Sequence, residues 1–205
     1  MGTSFRWAIA ALVFAACSGP PDEKAPPAEK RGIEGKAPPA TGGYPSVVML
    51  VPEPPVKALV PEEPALMDQA GTAFWPKLLV VRPGQPVDFK NSEDVLHNVH
   101  VTNSETRRTE FNVGTAPGAG GAYRHVFESE GAYEVMCNIH PSMAAFLIVT
   151  AAPYVAVADS KGAFELEAIP EGTYQVRVWN LEPSRRVEKT VAIDSGTRQL
   201  SLTDS

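Results

Sequence analysis

The sequence predicts an all-β protein. Beyond Thr41 the chain divides into short runs rich in β-branched and aromatic residues, and turn-forming pairs such as Pro83-Gly84 and Glu171-Gly172 separate them. Runs of about 4–8 such residues between turn signals are typical of β-strands. No stretch keeps apolar residues at the spacing of an amphipathic helix. We therefore expect β-sandwiches built from strands over 47–51, 78–81, 87–90, 95–101, 123–127, 133–137, 145–150, 154–158, 164–166, 174–179, 189–193 and 199–202.

Residues 1–17 have the pattern of an export signal. A basic residue precedes the ten apolar residues of 7–16, and Cys17 follows them. This apolar stretch is shorter than the roughly 20 residues that a membrane-spanning helix needs, and it ends in small residues as secretory signals do. The last four residues, 14–17, resemble the lipobox of bacterial lipoproteins. The resemblance implies a lipidated Cys17 and, because Ser18 follows it, a periplasmic protein anchored in the outer membrane. Cleavage to a protein without lipid is the alternative.

The segment 18–40 is expected to be a disordered, Pro-rich tether. It contains six prolines, together with four acidic and four basic residues. Chains of this composition cannot bury enough apolar surface to fold, and they act as extended spacers. A tether here would hold the folded part of the chain away from a membrane.

The remaining residues are enough for two small sandwiches. Residues 66–150 carry every candidate metal ligand, whereas residues 151–205 contain neither His nor Cys. The strands expected in 151–205 do not suffice to build both sheets of a sandwich. We therefore expect residues 41–60 to join 151–205 in one sandwich, with the ligand-bearing domain, 66–150, inserted between them.

The run Cys137-Asn138-Ile139-His140-Pro141-Ser142-Met143 combines a thiol, an imidazole and a thioether, and a second imidazole lies upstream at His97. One thiolate, two imidazoles and a weak thioether are the ligands of a mononuclear electron-transfer copper site. Zinc usually takes four strong ligands, and methionine is a poor one for it. With Cys17 in the signal, Cys137 has no partner for a disulfide. A lone Cys and a lone Met can also be ordinary core residues, which is the alternative reading.

The strand pattern separates the ligands from the nearby His100. Cys137 ends one predicted strand, and His97 lies in another, so the backbone at both positions is fixed by a sheet. His100 is three residues from His97, and this odd spacing puts the two side chains on opposite faces of a strand. We therefore expect that His100 is not a ligand.

Three segments of this region resemble the cupredoxins, and the amicyanin version most closely. They are the strand–turn–strand unit of 74–91, the sequence His97-Asn98-Val99-His100, and the strand 130–137 followed by Cys-x2-His-x2-Met. The resemblance implies a Greek-key sandwich that binds one type 1 copper ion through His97, Cys137, His140 and Met143.

The same resemblance assigns roles around the ligands. It implies that the side chain of Asn98 ties the His97 strand to the ligand loop, with Asn138 beside it. Electrons would leave through the exposed edge of His140, and Pro141 and Ala144 would belong to a weakly apolar docking surface around it.

The C-terminal region resembles a different family. Asp159-Ser160-Lys161-Gly162-Ala163-Phe164 and Pro170-Glu171-Gly172-Thr173-Tyr174 resemble the hairpin motifs of carboxypeptidase-regulatory-like (transthyretin-like) β-sandwiches. This region carries no catalytic residue pattern, so we expect a structural or docking module.

The expected function is that of a type 1 copper electron carrier. The alternative is a copper-binding storage or delivery protein without electron shuttling. If these four residues occur together by chance and bind no metal, the protein would be a metal-free adhesion protein. A copper enzyme would need a further His cluster, and His100 and His125 are too few to build one. The net charge of −6 argues against nucleic acid binding and is compatible with a basic redox partner. We expect a monomer that is not an enzyme, meets a redox protein transiently and is held at the membrane by its lipid.

Overall fold

The computed structural model describes residues 31–118 and 122–203, and it confirms the all-β fold. Among these residues the only helical segment is a single 3-10 turn, Pro183–Arg185. No helix in this part of the chain is long and apolar enough to cross a membrane. The strands are β1 (Arg31–Lys36), β2 (Val47–Glu53), β3 (Ala65–Ala70), β4 (Ala73–Trp75), β5 (Leu78–Val81), β6 (Pro86–Asn91), β7 (His97–Asn103), β8 (Thr109–Thr115), β9 (Ala122–Val126), β10 (Gly131–Met136), β11 (Ala144–Val149), β12 (Tyr154–Val157), β13 (Ala163–Ile169), β14 (Gly172–Trp179), β15 (Val187–Ile193) and β16 (Gln199–Ser201).

Strands β3 to β11 form one sandwich, which we call the inserted sandwich. Its two sheets have the strand orders β5-β11-β10-β7-β8 and β4-β3-β6-β9. In β6 the residues alternate between the two faces, so Val87 and Phe89 are fully buried while Asp88 and Lys90 are partly exposed. The side chains between the sheets form one apolar core that includes Met67, Phe74, Phe89, Val99, Val101, Phe127, Val135, Cys137, Met143 and Leu147.

Strands β1, β2 and β12 to β16 form a second sandwich, which we call the outer sandwich. Its sheets have the orders β12-β2-β14-β15 and β13-β1-β16. Strand β2 lies between β12 and β14, so the inserted sandwich interrupts the outer one in the chain. The likeness of the outer sandwich to transthyretin-like domains stays a prediction.

Strand β1 corrects the expected tether. Residues 18–40 were predicted to be disordered, but Arg31–Lys36 pair antiparallel with β13 and parallel with β16. Ile33 and Ala37 are fully buried, and Gly35 lies so close to the ring of Phe164 that a side chain there would overlap it. Composition gave the wrong prediction because β1 lies between β13 and β16, and these neighbours supply most of its partners, so β1 itself needs few apolar residues. The signal with Cys17, and the tether up to residue 30, lie outside the described residues.

Each predicted strand overlaps an observed one, but the sequence analysis also missed β3, β4 and β8. Strand β8 shows why, because its two apolar residues, Phe111 and Val113, are only partly buried and alternate with the exposed residues Glu110, Asn112 and Gly114. Such a half-exposed strand at the edge of a sheet gives a weak sequence signal.

The two sandwiches share an apolar interface. Ile148 and Phe146 point away from the interior of the inserted sandwich and pack with Trp179, Val47 and Met49 of the outer one. Strand β11 is therefore buried on both faces, which explains its continuous apolar sequence from Ala144 to Val149. The interface is a second hydrophobic core, and it joins both modules.

Polar groups fix the chain where it crosses between the sandwiches. The Arg82 guanidinium donates to the carbonyl oxygens of Thr150 (3.1 Å), Ala152 and Pro153. The Glu130 carboxylate accepts from the Ala151 N–H at 3.0 Å. This crossing segment, residues 150–153, is therefore held by side chains of the inserted sandwich.

The shared interface predicts a large effect of Ile148→Ala. Because the outer sandwich covers Ile148, the substitution should lower the free energy of unfolding by about 2–5 kcal/mol, as for other buried isoleucines. Leu66→Ala is the control, since half of Leu66 is exposed, and it should change the stability by less than about 0.5 kcal/mol. Denaturant unfolding measures both. A small effect of Ile148→Ala would mean that this face of β11 is open to solvent.

Candidate metal centre

Two strands and one loop supply the candidate ligands. Cys137 directly follows β10, and His97 is the first residue of β7, the neighbour of β10 in the sheet. His140 and Met143 lie in the loop that connects β10 to β11. The Cys137 N–H donates to the Met143 carbonyl (3.2 Å), and the Met143 N–H donates to the His140 carbonyl (2.9 Å). The loop is therefore closed by its own backbone at both ends.

Three ligand atoms meet at one point. The Cys137 Sγ lies 3.8 Å from His97 Nδ1 and 3.9 Å from His140 Nδ1. The two Nδ1 atoms are 3.0 Å apart. Three atoms that each lie about 2.0–2.3 Å from a shared ion are separated from one another by distances close to these observed ones. The arrangement therefore fits one metal ion, and these three residues form a potential metal site.

The site is almost closed to solvent. His97 is fully buried, and Cys137 and Met143 are each only 1% exposed. His140 is partly exposed, so its imidazole is the ligand group that reaches the surface. Met143 packs in the same apolar core as Cys137. A buried thiol beside two imidazoles, with a buried methionine in the same loop, is a donor set that suits copper better than zinc.

Glu93 orients the His97 ring. Its Oε2 lies 2.5 Å from His97 Nε2, and its Oε1 accepts from the Thr72 N–H at 2.7 Å. A carboxylate only accepts hydrogen bonds, so His97 Nε2 carries the proton and Nδ1 presents its lone pair to the site. The sequence analysis missed Glu93, because an acidic residue four positions before a His in a loop follows no general pattern.

The charges of the site shift its pKa values. Burial lowers the pKa of His97, but the hydrogen bonds with Glu93 and Cys137 and their charges outweigh burial, and the pKa is raised. Hydrogen bonding with His97, followed by that with Thr72, lowers the pKa of Glu93.

The thiol of Cys137 ionises easily. Burial raises its pKa, but the backbone N–H groups of Asn98, His140 and Ile139 and the His97 imidazole together lower the pKa to about 7. The thiolate is the form that binds metals. The backbone N–H groups around the sulfur thus stabilise the metal-binding thiolate form in the metal-free protein.

Asn98 links the two halves of the site. Its Oδ1 accepts from the Asn138 N–H at 2.7 Å, and its Nδ2 donates to Asn112 Oδ1 at 2.7 Å. The Asn98 side chain therefore joins β7 to the loop that follows β10. The Asn138 side chain contacts His100 instead, with Oδ1 3.1 Å from His100 Nδ1.

His100 lies apart from the three-ligand cluster. Its Nε2 is 3.2 Å from Thr109 Oγ1, and Asn138 lies at its other nitrogen. Both ring nitrogens therefore have partners on the outer surface of the sheet.

Exposed apolar side chains adjoin two of the candidate ligands in the sequence. Leu96, next to His97, is 55% exposed, and Ile139, next to His140, is 47% exposed. Pro141 is also exposed, whereas Ala144 is half-buried. The sequence analysis included Pro141 and Ala144 in this surface and missed Leu96 and Ile139.

The low pKa of Cys137 predicts a thiolate titration in the metal-free protein. The ultraviolet absorbance of the thiolate should rise with a midpoint at about pH 7, because hydrogen bonds stabilise the ionised form. Subtracting the titration of Cys137→Ser removes the contribution of any other cysteine. A midpoint near the ordinary thiol value of 9.0 would mean that these N–H groups do not face the sulfur.

Comparisons with known proteins agree with this donor set. Residues 64–150 match the family model of copper binding proteins of the plastocyanin/azurin family. No curated protein matches the chain.

Several solved structures align with less than half of the chain. A purple cupredoxin from Nitrosopumilus maritimus is 24% identical and covers 42% of this chain and 99% of its own, with a TM-score of 0.37. A reduced amicyanin mutant is 24% identical and covers 46% of this chain and 100% of its own, with a TM-score of 0.38. A copper-containing nitrite reductase from Thermus scotoductus is 28% identical, and the alignment covers 46% of this chain and 24% of the reductase, with a TM-score of 0.39. Residues 64–150 are thus the part of the chain that matches the plastocyanin/azurin family, and the cluster of His97, Cys137 and His140 within them is consistent with one type 1 copper ion.

Proposed function

We propose that this protein carries single electrons between periplasmic redox partners through a type 1 copper site. The observation that carries the proposal is the cluster of one thiol and two imidazole nitrogens within 4.8 Å of one another. Copper, when bound, supplies a one-electron couple between Cu(II) and Cu(I). The protein supplies the ligands and their fixed positions.

Rigid ligands suit electron transfer. Cys137 and His97 lie at the ends of paired strands, and Asn98 joins these strands at the site. Glu93 holds the His97 ring from its far side. Ligands that are held in this way move little when the oxidation state changes, so little energy is needed to reorganise the site.

Met143 is proposed as the fourth, weak ligand. It is buried in the same core as Cys137 and belongs to the loop that carries His140. In copper sites with one Cys and two His ligands, a long thioether bond completes the coordination and tunes the reduction potential.

The exposed edge of His140 is the proposed exit for electrons. Every other proposed ligand is nearly or fully buried, so a partner could approach only this imidazole. Leu96, Ile139 and Pro141 offer a small apolar surface there, with Ala144 at its margin, and small interfaces suit transient redox encounters. The net charge of −6 favours a basic partner.

We propose a carrier and not an enzyme because of this burial. Electrons can pass through the exposed edge of one imidazole, whereas a substrate would need an open coordination position. The protein would act as a monomer in the periplasm, with a lipid on Cys17 holding it to the outer membrane.

The Cys137→Ser variant tests the proposal most directly. The copper-loaded protein should have an intense visible absorption and a reversible redox couple, and Cys137→Ser should lose the absorption because it arises from the thiolate. His100→Ala is the matched control, since His100 lies outside the cluster, and it should keep the spectrum.

The alternative outcomes are distinct. Colourless binding of Cu(I) without a reversible couple would support storage or delivery of copper. An unchanged absorption in Cys137→Ser would exclude the proposed site.

Met143→Gln tests the fourth ligand. An amide oxygen is a stronger axial ligand than a thioether and stabilises Cu(II), so the variant should keep copper and have a lower reduction potential. Voltammetry of the variant and of the original protein measures the difference. An unchanged potential would show that Met143 acts only as a core residue.

A further inference from the structure

We propose that the outer sandwich positions the copper-ligand loop through Tyr44. The Tyr44 hydroxyl donates to the carbonyl of Ala144 at 3.1 Å. Ala144 directly follows the proposed ligand Met143, although it lies 100 residues from Tyr44 in the sequence. The inference therefore concerns how the second module acts on the site, and it rests on the proposed copper function.

The contact lies at the first residue of β11, where only one side of the strand is paired with a neighbour. Strand β5 pairs with β11 from Leu78, opposite Phe146, onward, so Ala144 lies two residues before this pairing begins. On its other side Ala144 pairs with Met136, the last residue before Cys137. The Tyr44 hydroxyl thus holds the backbone at the point where the ligand loop leaves the sheet.

The Tyr44 ring also has a packing partner. It packs edge-on against Phe146, with ring centroids 4.8 Å apart and an interplanar angle of 86°. Burial and the negative charge of Glu134 raise the pKa of Tyr44, so the hydroxyl stays protonated and donates.

A tight turn places Tyr44 in this position. The backbones of Thr41 and Tyr44 exchange hydrogen bonds of 3.0 Å around Gly42 and Gly43. Both glycines have positive φ, 60° and 82°, which favours glycine over other residues in such a turn.

The fully buried Asn180 anchors the same turn to the outer sandwich. Its Oδ1 accepts from Thr41 Oγ1 at 2.9 Å, and its Nδ2 donates to Pro39 O at 3.1 Å and to Ser46 Oγ at 2.9 Å. Any shift of the outer sandwich relative to the inserted one therefore displaces Tyr44 from Ala144. Tyr44 is a positioning residue, because it acts on the site through Ala144 and Met143.

The test compares Tyr44→Phe with Tyr174→Phe. Both variants lose a hydrogen bond from a phenol to a backbone carbonyl, because Tyr174 donates to Pro170 O at 2.7 Å within the outer sandwich. In Tyr44→Phe we expect a changed visible and paramagnetic-resonance spectrum of the Cu(II) protein. We also expect copper loss to a chelator to be about fivefold faster, which corresponds to about 1 kcal/mol, an ordinary value for a neutral hydrogen bond. Tyr174→Phe should keep the spectrum and the release rate of the original protein.

Hydrogen exchange in the metal-free protein separates this inference from the copper function. The amides of Cys137 and Met143 should exchange faster in Tyr44→Phe than in Tyr174→Phe, because the loop has lost its outer support. This result would hold even for a protein that carried no electrons. Equal exchange at these amides, or equal spectra and release rates in the two variants, would overturn the proposed role of Tyr44.

Discussion

The hydrogen-bonded closure of the loop between Cys137 and Met143 is the constraint on which the site depends. Two backbone hydrogen bonds make the loop a compact unit, and the end of β10 fixes its first residue. Because the loop is so short, His140 can place its Nδ1 only near the sulfur that precedes it by three residues. The strand β7 then brings His97 to the same point from the neighbouring position in the sheet.

Polar groups around this loop complete the arrangement from three directions. Glu93 fixes the ring of His97, Asn98 joins the two strands, and N–H groups of the loop stabilise the thiolate. Each of these groups is itself hydrogen-bonded or buried, so the ligands are held in place by their surroundings before metal binds. The protein therefore provides a site with little freedom, which suits the proposed electron transfer.

The outer sandwich is part of the same structural unit. Its side chains cover one face of β11, while the opposite face of β11 contributes to the core that contains Cys137 and Met143. One strand thus connects the interface between modules with the metal site. This arrangement gives the outer sandwich a physical connection to the candidate ligands.

The sequence by itself determined the all-β class, the strands with strong apolar or alternating patterns, and the identity of the thiol and imidazole groups that cluster. These features are local, because strand alternation and the spacing from Cys137 to Met143 each involve only a few consecutive residues. Tertiary structure decided the rest. It placed β1 in a sheet although its composition indicated a tether, since Ile33 and Gly35 fit partners more than a hundred residues away. It also brought Glu93 to His97 and Tyr44 to Ala144, and these contacts depend on loops and sheet edges whose positions no local pattern encodes.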